Sequence, residues 1–159
     1  MKKTEPVKKG DFIQAFTLKD HHNNPINTDA YKGKIILLSF HPLAWTPVCS
    51  DQMKSIEANI SEFNRLNTLC LGISIDTVFT KKAWSRDIGI KSFSMLADFW
   101  PHGEIAQNLG IFRDKDGFSE RANIILDENS RVIFIKTYPI SQLPDIKEIV
   151  TFIKDLSVS

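Results

Sequence analysis

Two stretches of the chain are apolar almost without interruption, at Ile35–Phe40 and at residues 69–75. A short apolar run of this kind is typical of a strand in the middle of a sheet that is covered on both faces. Between the two runs, apolar side chains recur at helical spacing, at Met53, Ile56, Ile60 and Phe63. The pattern therefore predicts a strand, a helix and a second, parallel strand, joined as a crossover unit.

The same pattern continues after this unit with a helix, a short strand and a short helix. They cover residues 79–88, 94–97 and 104–109, and Gly110 ends the last of them. A final helix is predicted to begin near Pro144, because one face of the following segment is apolar. That face carries Ile146, Ile149, Val150, Ile153 and Leu156.

Between these helices the pattern changes to that of an antiparallel hairpin. The runs 122–126 and 132–135 flank the turn-rich residues 127–130. An early strand-helix-strand unit with a late hairpin and a terminal helix is the layout of the thioredoxin fold, an α/β fold with a central mixed sheet flanked by helices. This expectation rests on analogy of fold alone. Because no repeat or linker interrupts the chain, residues 1–159 are expected to form a single domain.

Composition narrows the classes of protein that fit this pattern. The 159 residues are 42% hydrophobic and 25% charged, as in globular proteins, and the formal net charge is only +1. We therefore expect no nucleic-acid partner and no attraction to an anionic membrane. No signal segment follows the basic residues 1–3 and no run of about 20 apolar residues occurs, so a cytoplasmic protein is expected. The chain has only two cysteines, too few for a disulfide-rich scaffold, which is typical of a protein in a reducing compartment.

Cys49 lies where the first predicted strand has ended and the helical pattern begins. A free cysteine thiol has a pKa of about 8.5, and the unpaired N–H groups of a first helical turn favour its thiolate, which is the nucleophilic form. Pro42 fixes the backbone at the mouth of the loop, and the hydroxyl of Thr46 can turn toward the sulfur or a bound oxygen. The alternative is that Cys49 is a small buried hydrophobic residue beside ordinary helix-start residues.

The spacing Pro42-x-x-x-Thr46-x-x-Cys49 resembles the motif that peroxiredoxins carry around their peroxidatic cysteine. Arg121, which opens the hairpin, stands where that family keeps an arginine, and residues 97–103 resemble the one-cysteine peroxiredoxins of the AhpE kind. The resemblance runs from about residue 10 to residue 156. It implies a thioredoxin-like fold and a thiol-dependent peroxidase that reduces hydrogen peroxide and organic hydroperoxides through a cysteine sulfenic acid.

The resemblance also implies roles for four residues. Cys49 would be the nucleophile, Arg121 would stabilise the thiolate and the transition state, Thr46 would hydrogen-bond the peroxide, and Pro42 would shield the sulfur. From the sequence alone, an ion pair of Arg121 with Glu120 or another surface carboxylate is favoured, because that is the usual environment of an arginine near a strand end. The reaction needs no organic cofactor and no metal, and His21, His22 and His102 have no zinc-ligand spacing.

The position of Cys70 affects how the sulfenic acid on Cys49 would be reduced back to a thiol. Cys70 lies within an apolar run, so we expect core packing rather than a resolving thiol. The reductant would then be an external thiol, either a thioredoxin-like or glutaredoxin-like protein or a small thiol. Family resemblance also suggests a homodimer. Two alternatives remain, a thioredoxin-like disulfide oxidoreductase and a non-catalytic redox sensor or binding module. The first is disfavoured, because its chemistry requires a second cysteine three residues after Cys49, where this chain has Gln52.

Several residues near Cys49 depart from the family pattern or allow two interpretations. Gln52 replaces a common glutamate, His41 a common tyrosine, and Ala44 a common aspartate. His41 could accept a proton at neutral pH, although a strand-end histidine with satisfied hydrogen bonds is favoured. Phe40 is expected in the core, whereas Trp45 either packs there or forms an apolar collar beside the cysteine.

Overall fold

The computed structural model describes residues 2–157, so residues 1, 158 and 159 of the predicted domain lie outside the described part of the chain. The nine strands are β1 (Thr17–Asp20), β2 (Pro25–Asn27), β3 (Ile35–Phe40), β4 (Thr68–Ser74), β5 (Ser94–Ala97), β6 (Phe112–Arg113), β7 (Phe118–Ser119), β8 (Arg121–Leu126) and β9 (Val132–Tyr138). The α-helices are α1 (Pro47–Ala58), α2 (Ile60–Arg65), α3 (Val78–Ile88), α4 (Glu104–Asn108) and α5 (Ile146–Leu156), and a 3₁₀ helix spans Thr28–Tyr31.

Seven of the strands form one mixed sheet in the order β2-β1-β5-β4-β3-β8-β9. The middle strands β3, β4 and β5 are parallel, as their apolar sequences predict. Each of the remaining pairs of neighbouring strands in this sheet is antiparallel. The crossovers between the parallel strands carry α1 with α2, and then α3. The predicted mixed sheet flanked by helices is therefore present.

Alternation along the strands divides the core between the two faces of the sheet. On β3, Ile36, Leu38 and Phe40 belong to one cluster, which also contains Ile105 and Ala106 of α4. Leu37 points the other way, into a cluster with side chains of α1, α3 and α5. Because side chains of a strand alternate between the faces, the odd-numbered positions of β3 lie on the α1 side.

Most predicted elements occur within a few residues of their expected bounds, but the predicted helix between β3 and β4 is interrupted. Asn59 separates α1 from α2 and has backbone angles outside the helical range. Its side-chain amide donates to the Ser55 carbonyl at 2.8 Å, a local bond that competes with continued helix geometry. Ile60 and Phe63 nevertheless pack against the cluster on the α1 side.

The edge strand β2 and its neighbour β1 were not predicted, because their short sequences PIN and TLKD carry no apolar alternation. The hairpin of β8 and β9 was predicted, although β9 extends three residues beyond the predicted end, to Tyr138. Among residues 2–157, no helix combines the length and the apolarity that a bilayer crossing requires.

Candidate active site

Cys49 lies in the first turn of α1 and is fully buried. Pro47 occupies the first helical position, where its missing N–H costs nothing, and Thr46 has the extended backbone of an N-cap residue. The first-turn N–H groups of a helix have no partners within it and carry partial positive charge. The local sequence therefore places the sulfur beside the partial positive charge of a helix start.

Arg121 is the cation that meets this thiol. Its Nη1 atom lies 3.3 Å from Cys49 Sγ and 2.8 Å from the Gln52 side-chain oxygen. The Nε and Nη2 atoms donate to the Ile140 carbonyl, at 3.0 and 2.8 Å. Glu120 instead pairs with Arg113 at 3.0 Å, so the alternative of a surface pair between Arg121 and Glu120 is wrong.

Strand register brings Arg121 to the cysteine although 72 positions separate them in sequence. The strands β3 and β8 are antiparallel neighbours, with Ser39 opposite Asn123 and Phe40 opposite Ala122. Arg121 is therefore at the end of β8 that lies next to the end of β3, and alternation directs it to the same face as Asn123. That is the face that α1 covers.

Three buried polar side chains support the guanidinium. Gln52 donates through Nε2 to Ser39 Oγ at 2.8 Å and to the Phe40 carbonyl at 3.2 Å, and Ser39 donates to Asn123 Oδ1 at 2.8 Å. Sequence reasoning did not single out Ser39 and Asn123. Each is a polar residue on the covered face of a central apolar strand, and that mismatch is the signal that could have identified them.

Pro42 and Thr46 form part of a cavity of about 280 Å³ beside Arg121. The cavity is lined by Pro42, Leu43, Thr46, Pro47, Val48, Phe118, Arg121, Ile140 and Ser141. The Thr46 hydroxyl donates to the Leu43 carbonyl at 2.8 Å, which leaves its oxygen lone pairs as acceptors. The cavity wall is mostly apolar and has a single cationic group.

The structure shows the surroundings of the two aromatic residues and of His41. Phe40 is buried in the core, as predicted. Trp45 is 54% exposed and does not line the cavity, so both alternatives for it, core packing and a collar beside the cysteine, are wrong. His41 is buried, with Nδ1 3.4 Å from the Ser39 carbonyl and Nε2 2.9 Å from Lys81 Nζ. Burial, followed by the charge of Lys81, lowers the pKa of His41 well below its usual value, so its ring is neutral.

Cys70 has a different environment from Cys49. It lies on the buried strand β4, opposite Leu37, and it is a free thiol. Burial raises the pKa of the Cys70 thiol, because the thiolate would lose its hydration. The prediction that Cys70 is a packed core residue is confirmed.

Comparison with known proteins agrees with this arrangement. The model of the AhpC/TSA family matches residues 9–135. The chain belongs to the AhpC/TSA family. Alkyl hydroperoxide reductase E of Mycobacterium tuberculosis is 32% identical over 120 residues, which cover 75% of this chain and 78% of that protein. A peroxiredoxin of Thermoplasma volcanium is 34% identical over 156 residues, 95% of this chain and 75% of its own.

Solved structures of similar shape agree with the AhpC/TSA assignment. AhpC of Mycobacterium tuberculosis superposes with a TM-score of 0.84 at 24% identity, covering 96% of this chain and 99% of that chain. The mitochondrial 2-Cys peroxiredoxin of Plasmodium falciparum gives a TM-score of 0.83 at 25% identity, with 94% of each chain covered. The predicted thioredoxin-like fold and the predicted peroxiredoxin family are confirmed.

As an AhpC/TSA protein, the chain is a thiol-dependent peroxidase that acts on hydroperoxides and takes its electrons from thiols. The family assignment favours this activity over the disulfide oxidoreductase and over the non-catalytic sensor. The geometry agrees, since Gln52 stands where a disulfide oxidoreductase needs its second cysteine and Cys70 is buried on another element.

Proposed function

We propose that this AhpC/TSA protein reduces hydroperoxides at Cys49, with Arg121 stabilising first the thiolate and then the charge on the departing oxygen. The contact of 3.3 Å between Arg121 Nη1 and Cys49 Sγ carries the proposal. Among residues 2–157, no carboxylate forms an ion pair with this guanidinium, so its charge is directed at the sulfur. Fixed donors aimed at developing negative charge are a strong source of rate acceleration.

In the proposed reaction, the Cys49 thiolate attacks one peroxide oxygen. A sulfur–oxygen bond forms while the oxygen–oxygen bond breaks, the sulfur gives up two electrons, and the alkoxide or hydroxide that leaves takes a proton from water. Cys49 is then a sulfenic acid. A thiol attacks this sulfur and releases water, and a second thiol resolves the mixed disulfide. The sum is one hydroperoxide and two thiols giving an alcohol, water and a disulfide.

In the proposed reaction, the peroxide lies against Pro42 and Thr46, which line the cavity beside Arg121. Pro42 is buried and lines the cavity, which supports its role in shielding the sulfur. The Thr46 hydroxyl donates to the Leu43 carbonyl, so we assign it the role of accepting a hydrogen bond from the peroxide O–H. Because Phe118, Ile140 and Val48 line the same cavity, it suits the apolar part of an organic hydroperoxide.

We also propose that the reductant is an external thiol, carried by a thioredoxin-like protein, a glutaredoxin-like protein or a small thiol. Cys70 is buried on β4, which argues against a resolving role for it. Both cysteines are free thiols, which supports the expected cytoplasmic location because that compartment keeps thiols reduced.

Exposed aromatic side chains support the expected homodimer. Phe79 and Trp100 are 83% and 80% exposed, and Trp45 and Phe99 are also exposed. All four follow the carboxyl ends of β3, β4 or β5, which are parallel neighbours, so they lie toward the same end of the sheet. Apolar groups gathered in this way are typical of an interaction surface. Sedimentation of the wild type and of Phe79→Asp tests the proposal: we expect a dimer that the substitution weakens, and a wild-type monomer would refute it.

A single-turnover experiment tests the catalytic proposal. The reduced protein is mixed with one equivalent of hydroperoxide and followed by Trp fluorescence, and the product is identified by intact mass and by a reagent that traps sulfenic acids. We expect one added oxygen on Cys49, formed about 10²-fold or more faster than on free cysteine at the same pH. Cys49→Ser should abolish the reaction, and Cys70→Ala is the matched control that should retain it. Oxidation at the rate of a free thiolate, or rapid oxidation in Cys49→Ser, would contradict the proposal.

A further inference from the structure

Lys81 is a fully buried lysine that the proposed reaction does not use. It lies on the inward face of α3, one turn from the buried Trp84, and its Nζ atom is 5.7 Å from the centre of that ring. Nζ also lies 2.7 Å from Ser74 Oγ and 2.9 Å from His41 Nε2. A lysine is rarely buried to this extent unless specific partners hold it, so these contacts need an explanation.

Lys81 is connected by hydrogen bonds to both ends of a short loop, residues 41–44. His41 follows β3 directly and begins the loop. At the other end, the Ala44 N–H donates to Asp76 Oδ2 at 2.9 Å, and the same carboxylate oxygen accepts the Ser74 hydroxyl at 2.6 Å. Lys81, Ser74 and Asp76 are therefore linked by a continuous chain of hydrogen bonds that ends on the loop backbone.

We propose that Lys81 is a positioning residue for the peroxidase reaction, holding the loop 41–44 in place in front of Cys49 through His41 at one end and through Ser74 and Asp76 at the other. The inference rests on the proposed function, because the loop matters as the carrier of Pro42 and as the segment that leads into Thr46. A displacement of about 1 Å in groups that orient a substrate can cost about 10²-fold in rate. Lys81 touches neither the sulfur nor the cavity.

Charged and titratable groups from five other parts of the fold surround Lys81, namely His21 after β1, His41 after β3, Asp76 after β4, Cys49 on α1 and Asp98 after β5. Burial lowers the pKa of Lys81 to about 7, and the charges of Asp76, Cys49 and Asp98 oppose that shift, in this order. His41 is neutral, with Nδ1–H toward the Ser39 carbonyl and Nε2 as the acceptor for Lys81. The Lys81 side chain therefore changes between ammonium and neutral amine close to neutral pH, and the strength of its hydrogen bonds to His41 and Ser74 changes with its charge.

The test compares Lys81→Met with Lys82→Met, which removes the same charge from an exposed position of the same helix. The rate of Cys49 oxidation by hydroperoxide is measured across pH, and amide hydrogen exchange at Ala44 is measured by NMR. In Lys81→Met we expect oxidation to slow about tenfold near pH 7, together with faster exchange at Ala44. The wild-type rate should fall as pH rises past about 7, a decline that Lys81→Met lacks. Lys82→Met should match the wild type in all three measurements.

Ser74→Ala provides a second, smaller change, because it removes the hydroxyl between Lys81 and Asp76. Its effect on the oxidation rate should not add to that of Lys81→Met, since both break one chain of contacts. If Lys81→Met does not fold, Ser74→Ala alone decides the matter. A wild-type rate, pH profile and Ala44 exchange in the folded variants would overturn the proposal. If the wild type itself fails to react rapidly with peroxide, the proposed function fails, whereas Ala44 exchange still reports on the loop.

Discussion

Gln52 uses both ends of its side-chain amide at the site. Its oxygen accepts from Arg121, and its nitrogen donates to Ser39 and to the Phe40 carbonyl. A glutamate, which is common at this position in peroxiredoxins, has no N–H to donate and would bring a carboxylate against the guanidinium. The amide therefore satisfies the buried polar groups of β3 without placing a negative charge on the guanidinium beside Cys49. This gives a physical reason for a departure that the sequence left unexplained.

Replacing Arg121 tests the cation directly. In Arg121→Ala we expect single-turnover oxidation of Cys49 to slow by about 10²-fold, because the fixed donor at the sulfur is lost. The rise in rate with pH should also shift to higher pH, since less thiolate forms at neutral pH. Arg113→Ala is the matched control, because Arg113 is a partly exposed arginine that pairs with Asp116 and Glu120. Equal rates in the two variants would remove Arg121 from the mechanism.

Cys70→Ala tests whether a second thiol of this chain is needed. Cys70 is buried and its pKa is raised, so both oxidation and steady turnover with a small external thiol should continue. The loss of one sulfur from the core should cost about 1 kcal/mol of unfolding free energy, measurable in urea. If turnover stops while the variant stays folded, Cys70 is a resolving cysteine and the one-cysteine mechanism is incorrect.

At the scale of elements, the central strands and the main helices could be predicted because their sequences carry strong periodicity. The strand β3 and the hairpin of β8 and β9 are examples. The split at Asn59 depends on one side-chain hydrogen bond, and the edge strand β2 depends on pairing with β1, so neither leaves a periodic signal. The candidate residues Cys49 and Arg121 could be named from sequence, but their contact follows from the antiparallel register of β3 and β8, which pattern alone does not give.

The helix α3 carries a buried charge, and its effect on stability should depend on pH. The pKa of Lys81 is lowered from 10.5 to about 7 in the folded protein. Between these values the unfolded chain keeps a proton that the folded chain has released, so stability should rise with pH in this interval. Relative to Lys81→Met, the wild type should gain up to about 1.4 kcal/mol per pH unit between about pH 7 and pH 9.

Urea unfolding of both proteins at several pH values measures this difference, with Lys82→Met as the exposed control. The comparison with Lys81→Met removes the contributions of all other titrating groups that the two proteins share. A difference that stays constant with pH would mean that Lys81 keeps its proton in the folded state.

At the scale of the whole molecule, the N-terminal segment is fastened to α4. Lys3 N–H donates to the Gln107 carbonyl and Val7 N–H to the Leu109 carbonyl, at 2.9 and 3.0 Å, and Val7 is buried. Gly110 follows this helix with a φ of +72°, and a Cβ atom built there would lie 1.9 Å from the Glu5 carbonyl oxygen. The close approach of two backbone segments therefore requires glycine at this position.

Gly110→Ala should destabilise the protein far more than Gly89→Ala. Gly89 has a similar φ of +77° at the end of α3, but a Cβ atom there meets nothing within 4 Å. We expect Gly89→Ala to cost about 1 kcal/mol from backbone strain, and Gly110→Ala about 3 kcal/mol because the clash adds to the strain. Urea unfolding measures both. Equal losses would show that the N-terminal segment moves aside without cost.

The distance along the chain between Cys49 and Arg121 has a consequence for the protein during its synthesis. When the first 120 residues have left the ribosome, the thiol, its loop and the sequence of α1 are all present, but the guanidinium is not. If Arg121 activates Cys49 as proposed, Cys49 should react with peroxide no faster than an ordinary thiol until β8 pairs with β3. A nascent chain is therefore expected to become sensitive to peroxide only after β8 has been synthesised and has joined the sheet.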